Sequence, residues 1–150
     1  MNIQNYDSLK IENQFCFPLY VCSKEIIRCY KPYLDKIGLT YTQYITMMVL
    51  WEKKNCTVTE LGKSLYLDSG TLTPLLKKLE SKGLLTRKRS KEDERNLNIT
   101  LTEEGMALKV KALHIPASIE EQLELESSER EILYKILYRI LRKFPENVEE

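Results

Sequence analysis

The stretch LDSGTLTPLLKKLESKGLLTRKRS, residues 67–90, changes its period halfway, and few folds accommodate that change. Leu72, Leu75, Leu76 and Leu79 recur at helical spacing and form one buried stripe. Gly83 reads as a helix stop. After it, LLTRKRS and NLNITLT read as two strands around the charged connection KEDER. Just upstream, TVTELGKSL is a short helix with Leu61 and Leu65 facing inward.

Two short helices joined by a tight turn and followed at once by a ribbon define a winged helix-turn-helix. The flanking segments are helical. The first helix is expected from about Leu9 to Tyr33, with Phe15, Leu19, Cys22, Ile26, Cys29 or Tyr30, and Tyr33 as its apolar stripe. Pro18 either kinks that helix or marks its true beginning. LTYTQYITMMVLWEKK opens with Thr40 and Gln43 at capping-box spacing, and Tyr44, Met47, Met48 and Trp51 share a face. Thr102 caps a long helix that Pro116 should bend, and Ser128 with Glu131 reads as a capping box for the last helix. That last helix carries Ile132, Leu133, Ile136, Leu137, Ile140, Leu141 and Phe144. So broad an apolar face needs cover. We expect the first and last helices to pack together and against a second subunit; the alternative is that they complete one chain's core.

The chain of 150 residues suits a single domain. A formal net charge of +1 does not announce a nucleic-acid binder, so any basic site must come from local clustering. No stretch is long and apolar enough for a membrane span and MNIQNYDSLK lacks a signal-like core, so a cytoplasmic protein with no membrane partner is expected. Cys16, Cys22, Cys29 and Cys56 contain no C-x-x-C pair, and there is a single histidine, so neither a metal site nor a disulfide framework is expected.

On a helical wheel, Gly70, Pro74, Lys77 and Ser81 centre opposite the leucines, flanked by Thr71, Thr73 and Lys78. Nothing large and apolar projects outward. Small side chains allow close approach to base edges, and threonine offers a hydroxyl and a methyl to the major groove. Asp68 or Ser69 can cap the helix, whose N-terminus attracts phosphate. A solvated surface helix has the same pattern. The ribbon shifts the balance, because Arg87, Lys88, Arg89, Lys91 and Arg95 cluster where a wing needs them and Asp93 is placed to orient Arg95.

LYLDSGTLTPLLKKLESKGLLTRKRSKEDERNLNITLTEEG resembles the MarR family of dimeric winged-helix transcription regulators, and ENQFCFPLYVCSKEIIRCYKPYLDKIGLTYTQY is similar to its organic-hydroperoxide-sensing (OhrR-type) branch. The resemblance runs from about residue 8 to residue 145. It implies a fold that is mainly α with a small β-wing. Residues 38–102 would form the winged helix-turn-helix, and 9–37 and 103–145 the dimerisation helices, of one domain over 1–150. It implies a homodimer that represses by covering double-stranded operator DNA. Ser69, Thr71 and Thr73 would lie in the major groove, with Arg95 oriented by Asp93 in the minor groove; Lys77 and Arg87 are further DNA-binding candidates from their own positions on the helix and the ribbon. Cys16 would be the redox sensor, with Tyr30 and Tyr41 reaching it across the dimer interface.

The residues alone also single out Cys16. It is offset by one residue from the apolar stripe that carries Cys22 and Cys29, which read as buried small hydrophobes; Cys56 sits in a loop before a helix and is left without a role. A thiol near a helix start favours the thiolate, and Phe15 and Phe17 make a greasy surround that suits an organic hydroperoxide. Attack would give a sulfenic acid, then a mixed disulfide with a small thiol. No cofactor is implied. The alternatives are a thiol peroxidase, for which no histidine base lies nearby, and a related regulator of stress or virulence genes that answers to a small ligand or another oxidant.

Overall fold

The computed structural model describes residues 6–89 and 97–144. Two 3-10 turns, Asp7–Leu9 and Ile11–Asn13, precede helix α1, Cys16–Lys36. The expected helix start at Leu9 is therefore corrected to Cys16, and Pro18 sits in the first turn, where its missing N–H costs nothing. Pro32 lies inside α1 and was not anticipated as an interior proline. The helix ends at a turn through Gly38, whose φ of +69° suits a residue without Cβ. Leu39 N–H then bonds the Leu34 carbonyl at 3.0 Å.

Helix α2, Tyr41–Lys53, starts at the expected box: Gln43 N–H donates to Thr40 Oγ1 and Thr40 N–H to Gln43 Oε1. Tyr44, Met47, Leu50 and Trp51 are buried, whereas Met48 is exposed, one step off the core face. Strand β1, Asn55–Thr57, follows and pairs Cys56 with Ile99. The expected loop at Cys56 is thus a strand, and the thiol is buried. Helix α3, Val58–Leu65, is capped reciprocally by Thr57 and Glu60. Helix α4, Ser69–Ser81, ends where Gly83, at φ +74°, lets Leu84 N–H turn back to the Leu79 carbonyl. Strands β2, Leu85–Arg89, and β3, Leu97–Leu101, pair antiparallel, giving a sheet in the order β1-β3-β2.

Thr102 caps α5, Glu103–Ala112, as expected, by accepting from Gly105 N–H at 3.0 Å. The long helix does not merely bend. It stops at Ala112, and α6, Ile115–Leu123, begins with Pro116 in its first turn. Helix α7, Ser127–Leu141, starts earlier than the Ser128–Glu131 box predicts; Glu129 instead accepts from Glu126 N–H at 3.0 Å. The fold class is therefore the expected one, mainly helical with a small antiparallel sheet. No helix among the described residues is long and apolar enough to cross a membrane.

The core joins α2, α3, α4, the sheet and the faces of α5 and α6: Met47, Leu50, Leu61, Leu79 and Ile99 are fully buried, with Leu34 and Ile115 against them. Trp51 Nε1 donates to the Gly105 carbonyl at 2.8 Å and ties α2 to the start of α5. Within one chain α1 packs mainly on α2 and α6. No residue of α7 is buried, although Ile132, Leu133, Ile136, Leu137 and Ile140 lie along it.

Candidate nucleic-acid interface and thiol site

Helix α4 keeps its leucines in the core and turns Ser69, Thr71, Thr73, Lys77 and Lys78 outward. Of the two candidate caps, Asp68 is the one used: Thr71 N–H donates to its Oδ1 at 2.7 Å and Thr71 Oγ1 to its Oδ2 at 2.9 Å. These bonds to the charged form hold the Asp68 carboxyl below its ordinary range. Thr73 Oγ1 donates to the Ser69 carbonyl at 2.8 Å. Both threonine protons are thus spent on the helix itself. What the threonines present outward is a methyl group and hydroxyl lone pairs, suited to the thymine methyl and to base amino donors. Pro74 lacks the N–H that would close on the Gly70 carbonyl, a loss confined to the start of the helix.

The wing is tied to this helix by a pair that sequence reasoning missed. Arg87 Nε and Nη2 donate to Glu80 Oε2 at 2.9 and 2.7 Å, and Arg87 N–H donates to Glu80 Oε1 at 2.9 Å. The Arg87 guanidinium and backbone hold the Glu80 carboxyl below its usual range. Arg87, one of the wing cations expected to meet DNA, is therefore bonded to Glu80 and fixes β2 on α4. The signal that could have found this pair is an acidic residue left on the flank of an otherwise basic helix. Lys77, Lys78, Lys88 and Arg89 are exposed and make no side-chain hydrogen bond or ion pair with a described residue. Asp93 and Arg95, the expected wing-tip pair, and Lys91 lie outside the described residues.

Cys16 is the first residue of α1 and is exposed; the helix start has no side-chain cap, Phe17 N–H donates to the Gln14 carbonyl at 3.2 Å and Pro18 has no N–H. Around it Phe15 is 77% and Tyr20 64% exposed, with Phe17 and Leu19 also outward. Cys22 is exposed and Cys29 half-buried, which corrects the expectation that both are core residues of one chain. Tyr30 and Tyr41 do come together, with ring centroids 5.0 Å apart in an edge-on contact, and Tyr44 lies 5.9 Å from Tyr30. Burial, then the neighbouring Tyr41, Tyr44 and Glu120, push the Tyr30 phenol up to about 12, and burial raises Tyr41 as well. Both are therefore neutral hydrogen-bond donors at physiological pH. Fourteen helical residues separate Cys16 from Tyr30, about 21 Å of rise, so a chain's own tyrosine pair cannot reach its own Cys16. No cluster of His, Cys, Asp and Glu among the described residues suits a metal ion.

Residues 28–112, more than half the chain, match the family described as transcriptional regulator SarA/Rot. The organic hydroperoxide resistance transcriptional regulator of Bacillus subtilis (strain 168) is 49% identical over 136 residues, covering 91% of this chain and 92% of its own. The HTH-type transcriptional regulator SarZ of Staphylococcus haemolyticus is 45% identical over 131 residues, 87% of this chain and 89% of its own. Among solved structures, reduced AbfR bound to DNA superposes with a TM-score of 0.76 at 33% identity, over 91% of this chain and 95% of that one. A mutant MarR from E. coli complexed with operator DNA shares the fold, with a TM-score of 0.80 at 24% identity over 91% and 99% of the two chains. The capped, slim-faced α4, the ribbon clamped to it and these likenesses agree: the chain belongs to the SarA/Rot family of transcriptional regulators, a winged-helix protein related to the organic hydroperoxide resistance regulator, and is a regulator rather than an enzyme.

Proposed function

We propose that the chain acts in the cytoplasm as a homodimeric repressor that leaves its operator when Cys16 is oxidised by an organic hydroperoxide. One observation carries the reading: Cys16 stands exposed at the start of α1, while the tyrosines that would serve it pair elsewhere, Tyr30 fourteen residues further along α1 and Tyr41 beside it at the start of α2. The site is complete only when two chains meet, Cys16 of one against Tyr30 and Tyr41 of the other. The uncovered apolar side chains of α1 and α7 supply the surface for that meeting. Residues 9–37 and 103–145 form the dimerisation part and 38–102 the DNA-binding part. The 49% identity to a regulator named for organic hydroperoxide resistance supports the same assignment.

In the reduced dimer the two α4 helices enter successive major-groove faces, about 34 Å apart. Ser69, Thr71 and Thr73 meet base edges, Lys77 meets phosphate, and Arg95, set by Asp93, enters the minor groove. The Cys16 thiolate attacks the peroxide: a sulfur–oxygen bond forms, the O–O bond breaks, and the alkoxide leaves to take up a proton as the alcohol. The resulting sulfenic acid condenses with a small thiol, giving a mixed disulfide and water. The added bulk displaces the tyrosine pair at the interface and rotates the DNA-binding parts out of register.

A gel-shift titration against DNA upstream of the protein's own gene, with and without cumene hydroperoxide, tests this. The reduced protein should bind, with affinity falling steeply in salt, and the oxidised protein should release. Cys16→Ser should bind and ignore the oxidant; normal release by that variant rules out the sensor assignment.

A further inference from the structure

The C-terminal end of α4 carries a polar link to the turn between α1 and α2. Lys82, the residue that ends the helix, reaches back to make it. Its Nζ donates to the Gly38 carbonyl and, at 3.3 Å, to Gln43 Oε1. Gln43 is only 4% exposed, and the same Oε1 accepts from Thr40 N–H at 3.1 Å. One buried amide oxygen therefore fixes the start of α2, while one ammonium joins the turn to the recognition helix. Among the described residues no other hydrogen bond connects residues 37–43 with α4 or Lys82.

The geometry points to Lys82 as the positioning residue that passes movement of α1 to the recognition helix. α1 is a rod of 21 residues, about 30 Å long, with Cys16 at one end and the Gly38 turn at the other. The turn is stiff, because Gly38 and Leu39 bond back to Asp35 and Leu34, and the Leu34 and Leu39 side chains are buried. A shift at the thiol end therefore arrives at Gly38 as a shift of the carbonyl that Lys82 holds. Leucine packing under α4 allows small sliding; a directional bond to a fixed carbonyl does not. The inference rests on the redox-repressor reading above for its signal, not for the link itself.

The test compares wild type, Lys82→Met, Lys82→Arg and Lys78→Met, the last removing a neighbouring lysine of α4 whose ammonium has no partner among the described residues. The first readout is the ratio of operator affinity before and after cumene hydroperoxide. Lys82→Met should retain reduced-state binding and shrink that ratio at least about fivefold, the lower end of ordinary coupling between sites, and Lys82→Arg should restore most of it. Lys78→Met should keep the ratio. A merely electrostatic role predicts something else: a salt slope lower by about 0.9 with the ratio unchanged, which overturns the proposal. The second readout is amide hydrogen exchange of the DNA-free protein. Lys82→Met should lose protection at residues 38–43 while the melting temperature holds. Unchanged protection there refutes the link even if wild type never responds to peroxide, an outcome that would instead count against the redox reading.

Discussion

The uncovered face of α7 makes the sharpest quantitative prediction. Leu133, Ile136, Leu137 and Ile140 retain 43%, 40%, 37% and 37% of their surface exposed in one chain. Full burial of such a side chain is worth about 1.5–3 kcal/mol, so burying what remains is worth about 0.6–1.2 kcal/mol each. Four from each copy supply on the order of 5–10 kcal/mol, comparable to the cost of association, estimated at about 4–15 kcal/mol. The helix is thus a major contributor to a dimer, and the margin is thin enough for one substitution to remove. Leu137→Asp in both copies forfeits roughly 1 kcal/mol of burial per copy and adds at least about 2 kcal/mol per copy for an ionised or unpaired carboxyl. The dissociation constant should rise by about four orders of magnitude. Sedimentation equilibrium from nanomolar to tens of micromolar protein reads this directly, with far-UV circular dichroism to confirm that the variant stays helical. A folded Leu137→Asp protein that remains as dimeric as wild type refutes the reasoning, as does a wild type that is monomeric throughout.

Two further outcomes follow from packing and charge. A methyl at Gly62 would sit 2.8 Å from the Leu67 carbonyl oxygen and 3.3 Å from Leu72 Cδ1, in the turn that aims α4; Gly62→Ala should cost about 1–3 kcal/mol, lower the melting temperature by roughly 3–10 °C and weaken operator binding, and a melt unchanged within about 1 °C would show that the turn relaxes freely. Glu60, Asp68 and Glu80 all have carboxyls held below their ordinary range, the first two by hydrogen bonds from Thr57 and Thr71 and the third by Arg87. Because the folded state binds their protons more weakly, this stability is fully present above the ordinary carboxylate range and is lost as pH falls below about 4 and through the folded values. Urea melts at stepped pH should show that loss, and Glu80→Gln should flatten its share of it.

Much of the fold and part of the site were legible because the signals are local. The Thr40–Gln43 box, the Thr102 cap and the leucine stripe of α4 each depend on residues within two turns of one another, and each stands as expected. β1 was not legible: three residues carry no period, and only Ile99 on a distant strand makes Cys56 part of a sheet. Arg87 misled for a related reason. Its charge is visible in the chain, but its direction is set by where β2 crosses α4 and meets Glu80.

By itself the sequence determined that a helix-turn-helix precedes a ribbon and that α4 turns a slim polar face outward. Periodicity and capping act over a few residues, so they survive without knowledge of the rest. Only the tertiary structure decided which of the described cations are free and which are clamped, that Lys82 joins α4 to the α1–α2 turn, and that Tyr30 and Tyr41 pair out of reach of their own Cys16. Those facts depend on where separate elements cross, and crossing is set by the packing of the whole chain.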